Sequence, residues 1–386
     1  MTGGGACFDD LRSGNRVRFS PPARVLIADT PEDVLPVLDE VERATTAGCW
    51  AFGFVAYEAA SGVDPALLTH PRPPDGVPYA WFGLTGPPRR ATAFDPAGSY
   101  EVRWERDWTE PDYLARVRRV RERIAEGETY QANLTVRLRG SFTGDPAGLY
   151  RDLALAQRGG YHAKLDLGDV VIASASPELF FELRGDTIRL RPMKGTVARG
   201  RTREEDRVLA ELLRTSVKER AENIMIVDLM RNDVSRIAVP GTVAVPSLLA
   251  LESYPTVRQL TSEVTADLRP GTGPADVFAA LFPCGSITGA PKASTMRLIR
   301  EVEDSPRGVY CGAIGWIAPP ASPTRARFSV AIRTAVVNRA AGIAEYGTGG
   351  GITWSSDPAA EHREVLLKAA VLERTSSTIG RVPVTP

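Results

Sequence analysis

Glu219 and Glu222 stand three residues apart in a stretch of helical periodicity, and Glu361 and Glu364 repeat that spacing near the C-terminus, with Lys368 four residues further on. At about 100° per residue, each set shares one face of its helix. Two such faces opposed would offer carboxylate oxygens to one hard divalent cation, Mg2+ above all, which takes oxygen ligands and keeps part of its water. The same spacing also fits a solvated face with a Glu364–Lys368 ion pair. Glu219 has a further structural use as the acid of a capping box opened by Ser216. Lys194 sits in Arg191-Pro192-Met193-Lys194-Gly195-Thr196, between an apolar neighbour and a Gly-Thr turn. A lysine so placed is ordinarily a solvated surface residue, and only its surroundings could make it a nucleophile.

Gly347-Thr348-Gly349-Gly350-Gly351 reads as a turn whose backbone N–H groups could approach an anion closely. It is not a dinucleotide fingerprint, because Ile352 stands where the third glycine belongs. Residues 285–292 are not a phosphate loop, since two residues separate Gly289 from Lys292. No Gly-x-Ser-x-Gly elbow occurs, and three histidines (His70, His162, His362) make a multi-histidine metal site or a hydrolase triad unattractive.

Composition narrows the classes further. The 386 residues carry 47 Lys plus Arg against 47 Asp plus Glu, a balance that argues against a nucleic-acid or polybasic membrane partner. No apolar run approaches the roughly 18 residues of a membrane span, and residues 1–5 lack a signal peptide's apolar core. Cys7, Cys49, Cys284 and Cys311 are scattered, with no Cys-x-x-Cys pair. A reducing, cytoplasmic setting without structural zinc is the expectation.

The elements that must position these groups are marked by their caps. Thr30-Pro31-Glu32-Asp33 opens a helix that Gly48 closes, and Thr109-Glu110-Pro111-Asp112 opens another, with Tyr113, Val117, Val120 and Ile124 as its apolar stripe. Residues 50–57, 79–84, 130–138, 170–174, 179–183 and 187–190 read as strands, the last two joined by a hairpin at Arg184-Gly185-Asp186. Caps at Thr202 and Ser216 predict two consecutive helices. Residues 275–281 and 291–302 are helical, residues 309–318 and 327–337 are strands, and Asp357-Pro358 opens the last helix. Strands and helices do not alternate regularly, which predicts an α+β fold of antiparallel sheets flanked by helices. A soft boundary near residue 105 separates a variable N-terminal region (1–105), contributing strands to the same body, from a catalytic part (106–386).

Several stretches together resemble the chorismate-utilising enzymes: Tyr130-Gln131-Ala132-Asn133-Leu134, Ser176-Pro177-Glu178-Leu179-Phe180, residues 191–196, residues 221–233, residues 282–292, Cys311-Gly312-Ala313-Ile314-Gly315, Ile332-Arg333-Thr334 and Gly349-Gly350-Gly351-Ile352. Their order and spacing agree over roughly residues 105–375. Within that family, two positions point to the aminodeoxychorismate synthase component I branch. Lysine stands at 194, where anthranilate synthases have alanine. Gln131 occupies the place of the water-activating lysine of isochorismate and salicylate synthases.

The resemblance implies an anthranilate synthase component I-like fold and a set of roles. Glu178 would be the general acid and Lys194 the second catalytic group, either a covalent nucleophile or a charge that positions ammonia. Gln131, Gly195, Thr196, Thr288, Trp316, Arg333, Gly349, Gly351 and Lys368 would bind substrate. Glu222 and Glu364, supported by Glu219 and Glu361, would hold Mg2+. Chorismate is then the substrate, and a separate glutamine amidotransferase subunit supplies ammonia, an activity for which this chain has no recognisable segment. The alternatives are anthranilate synthase component I and a non-catalytic chorismate-binding subunit. Three departures from the family stand out: Gln259 replaces a catalytic histidine of anthranilate synthases, Trp316 replaces a tyrosine near the substrate, and Met193 stands where isoleucine is commoner.

Overall fold

The computed structural model describes residues 4–254 and 257–372, and its strands form two antiparallel sheets of ten. In spatial order the first runs Gly289–Ala290, Gln131–Gly144, Ile343–Thr353, Thr334–Asn338, Val170–Ser176, Tyr161–Asp166, Ala6–Asp9, Arg16–Phe19 and Arg89–Arg90. Tyr100–Arg106 pairs with Gln131–Gly144 as well. The second runs Met193–Ala198, Val257–Asp267, Thr187–Arg191, Leu179–Arg184, Ala326–Val330, Ala313–Ile317, Trp50–Val55, Ala80–Thr85 and Arg24–Ala28. Ala244–Ser253 adds to Val257–Asp267.

Three apolar clusters explain the layering. Phe19, Phe52, Phe54, Trp81, Leu165, Ile172 and Ile314 come from both sheets and fill the space between them. The outer face of the first sheet is covered by Glu110–Ala125, Pro146–Gln157, Lys292–Val302 and Pro358–Ala369, through residues such as Tyr113, Leu149, Ile299 and Val365. The outer face of the second is covered by Val34–Thr46, Val217–Ser235 and Pro274–Leu281, through Leu38, Met230 and Phe278. Each fully buried side chain of this size contributes about 1.5–3 kcal/mol. The order is therefore helices, sheet, sheet, helices, and the α+β architecture expected from the sequence is the one observed.

Helix starts follow their caps. Thr109 accepts a hydrogen bond from the Asp112 N–H within a capping box, and Thr202 and Ser216 cap Arg203–Thr215 and Val217–Ser235 as two consecutive helices. Pro36 is tolerated in Val34–Thr46 because it lies in the first turn, where the missing N–H would have no helical partner.

Three expectations are corrected. Residues 327–337 are two strands, Ala326–Val330 in the second sheet and Thr334–Asn338 in the first, with Arg333 at φ 53° between them. Residues 309–312 are turn, with Cys311 at φ 64°, and the strand begins only at Ala313. The glycine run is not a turn but part of the long strand Ile343–Thr353, paired along its length with Gln131–Gly144. Periodicity could not reveal the first two because residues 309–318 and 327–337 each read as one nearly continuous apolar run. Residue 105 lies inside the strand Tyr100–Arg106, and N-terminal strands sit within both sheets.

Candidate active site

The chain changes sheet twice at neighbouring points. Val170–Ser176 ends in the first sheet and Leu179–Arg184 starts in the second, so Pro177-Glu178 is one crossing; Ala331-Ile332-Arg333 is the return. The two crossings are tied together. The Val330 N–H donates to the Glu178 carbonyl at 3.1 Å and the Ala175 N–H to the Arg333 carbonyl at 3.0 Å, while the Ser176 hydroxyl donates to the Val330 carbonyl at 2.6 Å. Strands that switch sheets make corners, and here the corner delivers one acid and one guanidinium into a common cleft of about 130 Å³.

Lys194 reaches that cleft from the edge of the second sheet. The register of Met193–Ala198 on Val257–Asp267 shifts between Lys194 and Thr196, a bulge that Gly195 makes possible at φ 83°. A Cβ at Gly195 would also lie 3.1 Å from Glu219 Oε2 and 3.2 Å from Leu213. Beyond the strand, Arg199 forks onto Asp206 at 2.7 and 2.8 Å, and Arg258 joins the same carboxylate at 2.7 Å. This anchors the lysine strand to helix Arg203–Thr215.

The opposite wall is the glycine strand. Its pairing with Thr334–Asn338 stops at Tyr346, so among the described residues Gly347 to Thr353 have a strand partner on one edge only. The Gly349 carbonyl accepts from Lys368 Nζ at 2.8 Å. In an antiparallel strand a residue's N–H and C=O point to the same edge and alternate residues match, so the N–H groups of Gly349 and Gly351 face the cleft. A Cβ at Gly351 would lie 2.7 Å from Gln131 Nε2 and 3.2 Å from Lys194 Nζ. The bare backbone lets the amide and the amine approach it together. Gln131 is fully buried with no partner for either amide atom, behind the open cleft.

Charge in the cleft is dense. Glu178 is 3% exposed, its Oε1 has no partner, and burial pushes it up to about 7 against the Ser286 hydrogen bond and the Lys194 charge. Burial likewise raises Glu222 to about 7, with Lys194 opposing and Glu219 adding. Glu219 is also raised, by burial first. For Glu364, partial burial is outweighed by Lys368 at 2.7 Å, with Lys218 and Lys194 beyond, and it falls below the ordinary carboxylate range. The Arg333 guanidinium donates to the Lys368 carbonyl at 2.6 Å, and Gln259 Nε2 donates to Thr196 Oγ1 at 3.2 Å.

Of the residues expected here, Lys194, Glu178, Gly195, Thr196, Arg333, Gly349, Gly351, Lys368, Glu219, Glu222 and Glu364 line the cleft. Glu361 lies just behind, accepting from Ser356 at 2.6 Å and Lys218 at 3.0 Å. Thr288 and Trp316 are not among the residues that line the cleft. Thr288 spends its hydroxyl on the Cys284 carbonyl at 3.0 Å, closing its own loop; Ser286 and Ile287 of that loop face the cleft instead. Trp316 packs on Trp50 at 5.6 Å, away from the cleft, and the aromatic ring that does line it is Tyr310. Glu219 shows no reciprocal capping of Ser216; its side chain turns to the cleft. Asn133, Lys218 and Tyr310 also line the cleft and were not singled out. Lys218, adjoining Glu219 and four residues before Glu222, was the one with a readable signal. Lys292, rejected as a phosphate-loop lysine, pairs with Asp233 at 2.8 Å.

The acidic residues suit a hard cation in kind: carboxylate oxygens from two helices, one of them, Glu222 Oε1, buried and without a hydrogen bond. Among the described residues no three acidic, histidine or cysteine side chains close into a ready-made cage; Lys218 stands against Glu361 and Lys368 against Glu364.

Residues 88–374 match the family of chorismate binding enzymes. The chain belongs to that family. Among its curated relatives, an aminodeoxychorismate synthase of Streptomyces griseus is 37% identical over 93% of this chain and 46% of its own length. An aminodeoxychorismate synthase component 1 of Salmonella typhimurium is 40% identical over 69% of this chain and 57% of its own. The chain thus spans about half the length of the curated relatives it matches. The crystal structure of anthranilate synthase component I from Streptococcus pneumoniae superposes with a TM-score of 0.76 at 25% identity, covering 96% of this chain and 90% of that one. That protein and this chain thus share their overall fold, and no helix among the described residues is long and apolar enough to cross a membrane.

Proposed function

We propose that the chain converts chorismate and ammonia to 4-amino-4-deoxychorismate, as the first component of an aminodeoxychorismate synthase. The observation that carries this reading is the convergence of Lys194 with Glu178, Arg333 and the glycine strand on one cleft. Relatives bearing the aminodeoxychorismate synthase name support it, and so does lysine at the position where the resemblance implies alanine in anthranilate synthases.

Chorismate carries two carboxylates and a C4 hydroxyl, a poor leaving group. Arg333, Lys368 and the N–H groups of Gly349 and Gly351 suit the enolpyruvyl carboxylate. Glu222 and Glu364, with Glu219 and Glu361 in support, would hold Mg2+, which when bound grips the ring carboxylate and withdraws electron density from the ring. Glu178, protonated near neutral pH because it is buried, gives its proton to the departing C4 oxygen, which leaves as water. Lys194 adds at C2 as that bond breaks; ammonia then adds at C4 and expels the lysine. Gln259 cannot exchange protons near neutrality, so acid duty rests on Glu178. Ammonia would come from a glutamine amidotransferase subunit, with free ammonium as a substitute.

The test is mass analysis of the products from chorismate, Mg2+ and ammonium. Aminodeoxychorismate is the expected product; anthranilate with pyruvate would overturn the reading.

A further inference from the structure

Lys218 occupies an electrostatically awkward place. It lies in the first turn of helix Val217–Ser235, where the positive end of the helix dipole disfavours a cation. Its i,i+4 partner Glu222 lies C-terminal to it, the weaker orientation for a helical ion pair. Nothing local recommends a lysine there, so what holds it must come from outside the helix.

That partner is on another element. Lys218 Nζ lies 3.0 Å from Glu361 Oε1 on helix Pro358–Ala369 and 3.9 Å from Glu222 Oε1. Glu361 Oε1 also accepts from Ser356 at 2.6 Å, and Glu222 Oε1 is buried without a hydrogen bond. Lys368 is already taken by Glu364 at 2.7 Å and the Gly349 carbonyl at 2.8 Å. Lys218 is thus a cation in direct contact with both glutamate-bearing helices, while Lys194 acts on Glu222 from the strand side.

We propose that Lys218 is a tethered counter-cation: in the metal-free protein its ammonium joins Glu361 to Glu222 across the two helices, and it competes with an incoming divalent cation for them. The proposal rests on the reading of these glutamates as a cation site. Lys218 is a positioning residue in this account, bridging the carboxylates when no ion is bound and yielding when one arrives.

The experiment is calorimetric titration of the full chain with Mg2+, without chorismate, alongside thermal unfolding with and without Mg2+. Lys218→Gln should bind Mg2+ roughly fivefold tighter or more, the factor expected for removing a competing partly buried ion pair. It should melt lower than wild type without Mg2+ and regain the difference when Mg2+ is added. Lys218→Arg should restore wild-type Mg2+ affinity. Mg2+ affinity that is lost in Glu222→Gln but unchanged in Lys218→Gln would overturn this proposal and leave the cation site standing. Mg2+ binding indifferent to Glu222→Gln would overturn the cation site, and the proposal with it. Weakened chorismate binding in Lys218→Gln at unchanged Mg2+ affinity would reassign Lys218 to the substrate and overturn the proposal alone.

Discussion

At the scale of single residues, the acid is the group whose behaviour is most sharply specified. Burial lifts Glu178 from an ordinary 4.5 to about 7, so the folded protein holds this proton more tightly than the unfolded chain does. Its contribution to stability is fully present below about pH 4.5 and is lost as pH rises through about 7. Glu178→Gln should therefore gain stability relative to wild type at pH 8 compared with pH 5, on the order of 2–3 kcal/mol at about 1.4 kcal/mol per tenfold change in proton affinity. Chemical denaturation at the two pH values measures this, and an identical difference at both would count against the buried acid. The same variant should lose about 10²–10⁴-fold in turnover, and wild-type turnover should decline as pH rises past 7. Glu178, Lys194, Arg333 and the glutamates were legible because their motifs are local in sequence. Thr288 and Trp316, expected from the resemblance alone, do not line the cleft; whether a side chain in a buried loop or strand faces a cleft depends on tertiary direction, which a local motif does not encode.

Among the elements, the glycine strand and the bulged lysine strand are coupled through empty space. No side chain stands between Gly351 and the Gln131 and Lys194 head groups, and a methyl group there would press on both. Gly351→Ala is expected to cut turnover at least tenfold while changing the melting temperature by only a few degrees, since the backbone there is ordinary extended strand and the displaced groups are flexible side chains. Steady-state rates compared with a melting curve decide it, and unimpaired turnover would show that the close approach is not needed. The sequence suggested a turn at these glycines because glycine runs usually break strands. The long partner strand Gln131–Gly144, paired residue by residue from Gln131 to Ser141, overrides that local preference.

For the whole molecule, the N-terminal region is part of the frame that shapes the cleft. Trp50–Val55 pairs with Ala313–Ile317, and Ala6–Asp9 with Tyr161–Asp166. Glu58 accepts from the N–H groups of Arg307 and Gly308 at 2.6 and 2.9 Å. Arg307 is buried, forks onto Glu303 and donates to the carbonyls of Asn133 and Ile287, two cleft residues. Breaking one partner from such a buried ion pair costs about 3–5 kcal/mol, so Arg307→Leu should lower unfolding free energy by that order. Residues 106–386 expressed alone should not unfold cooperatively, because strand edges in both sheets would be bare; a sharp calorimetric transition from that fragment would refute the shared frame. The α+β class and most helix starts were readable from caps and apolar stripes. The two crossings at the cleft were not: residues 327–337 keep one apolar run across the corner, and the break at Pro177-Glu178 separates two strands without telling which sheet each joins.

The central claim is that Lys194 in this cleft directs ammonia onto chorismate. Its most direct test is Lys194→Ala, assayed for ammonium incorporation by mass analysis with chorismate affinity measured in parallel by calorimetry. The account predicts that incorporation falls by about 10²-fold or more while chorismate binds with little change; wild-type incorporation by the alanine variant would contradict it.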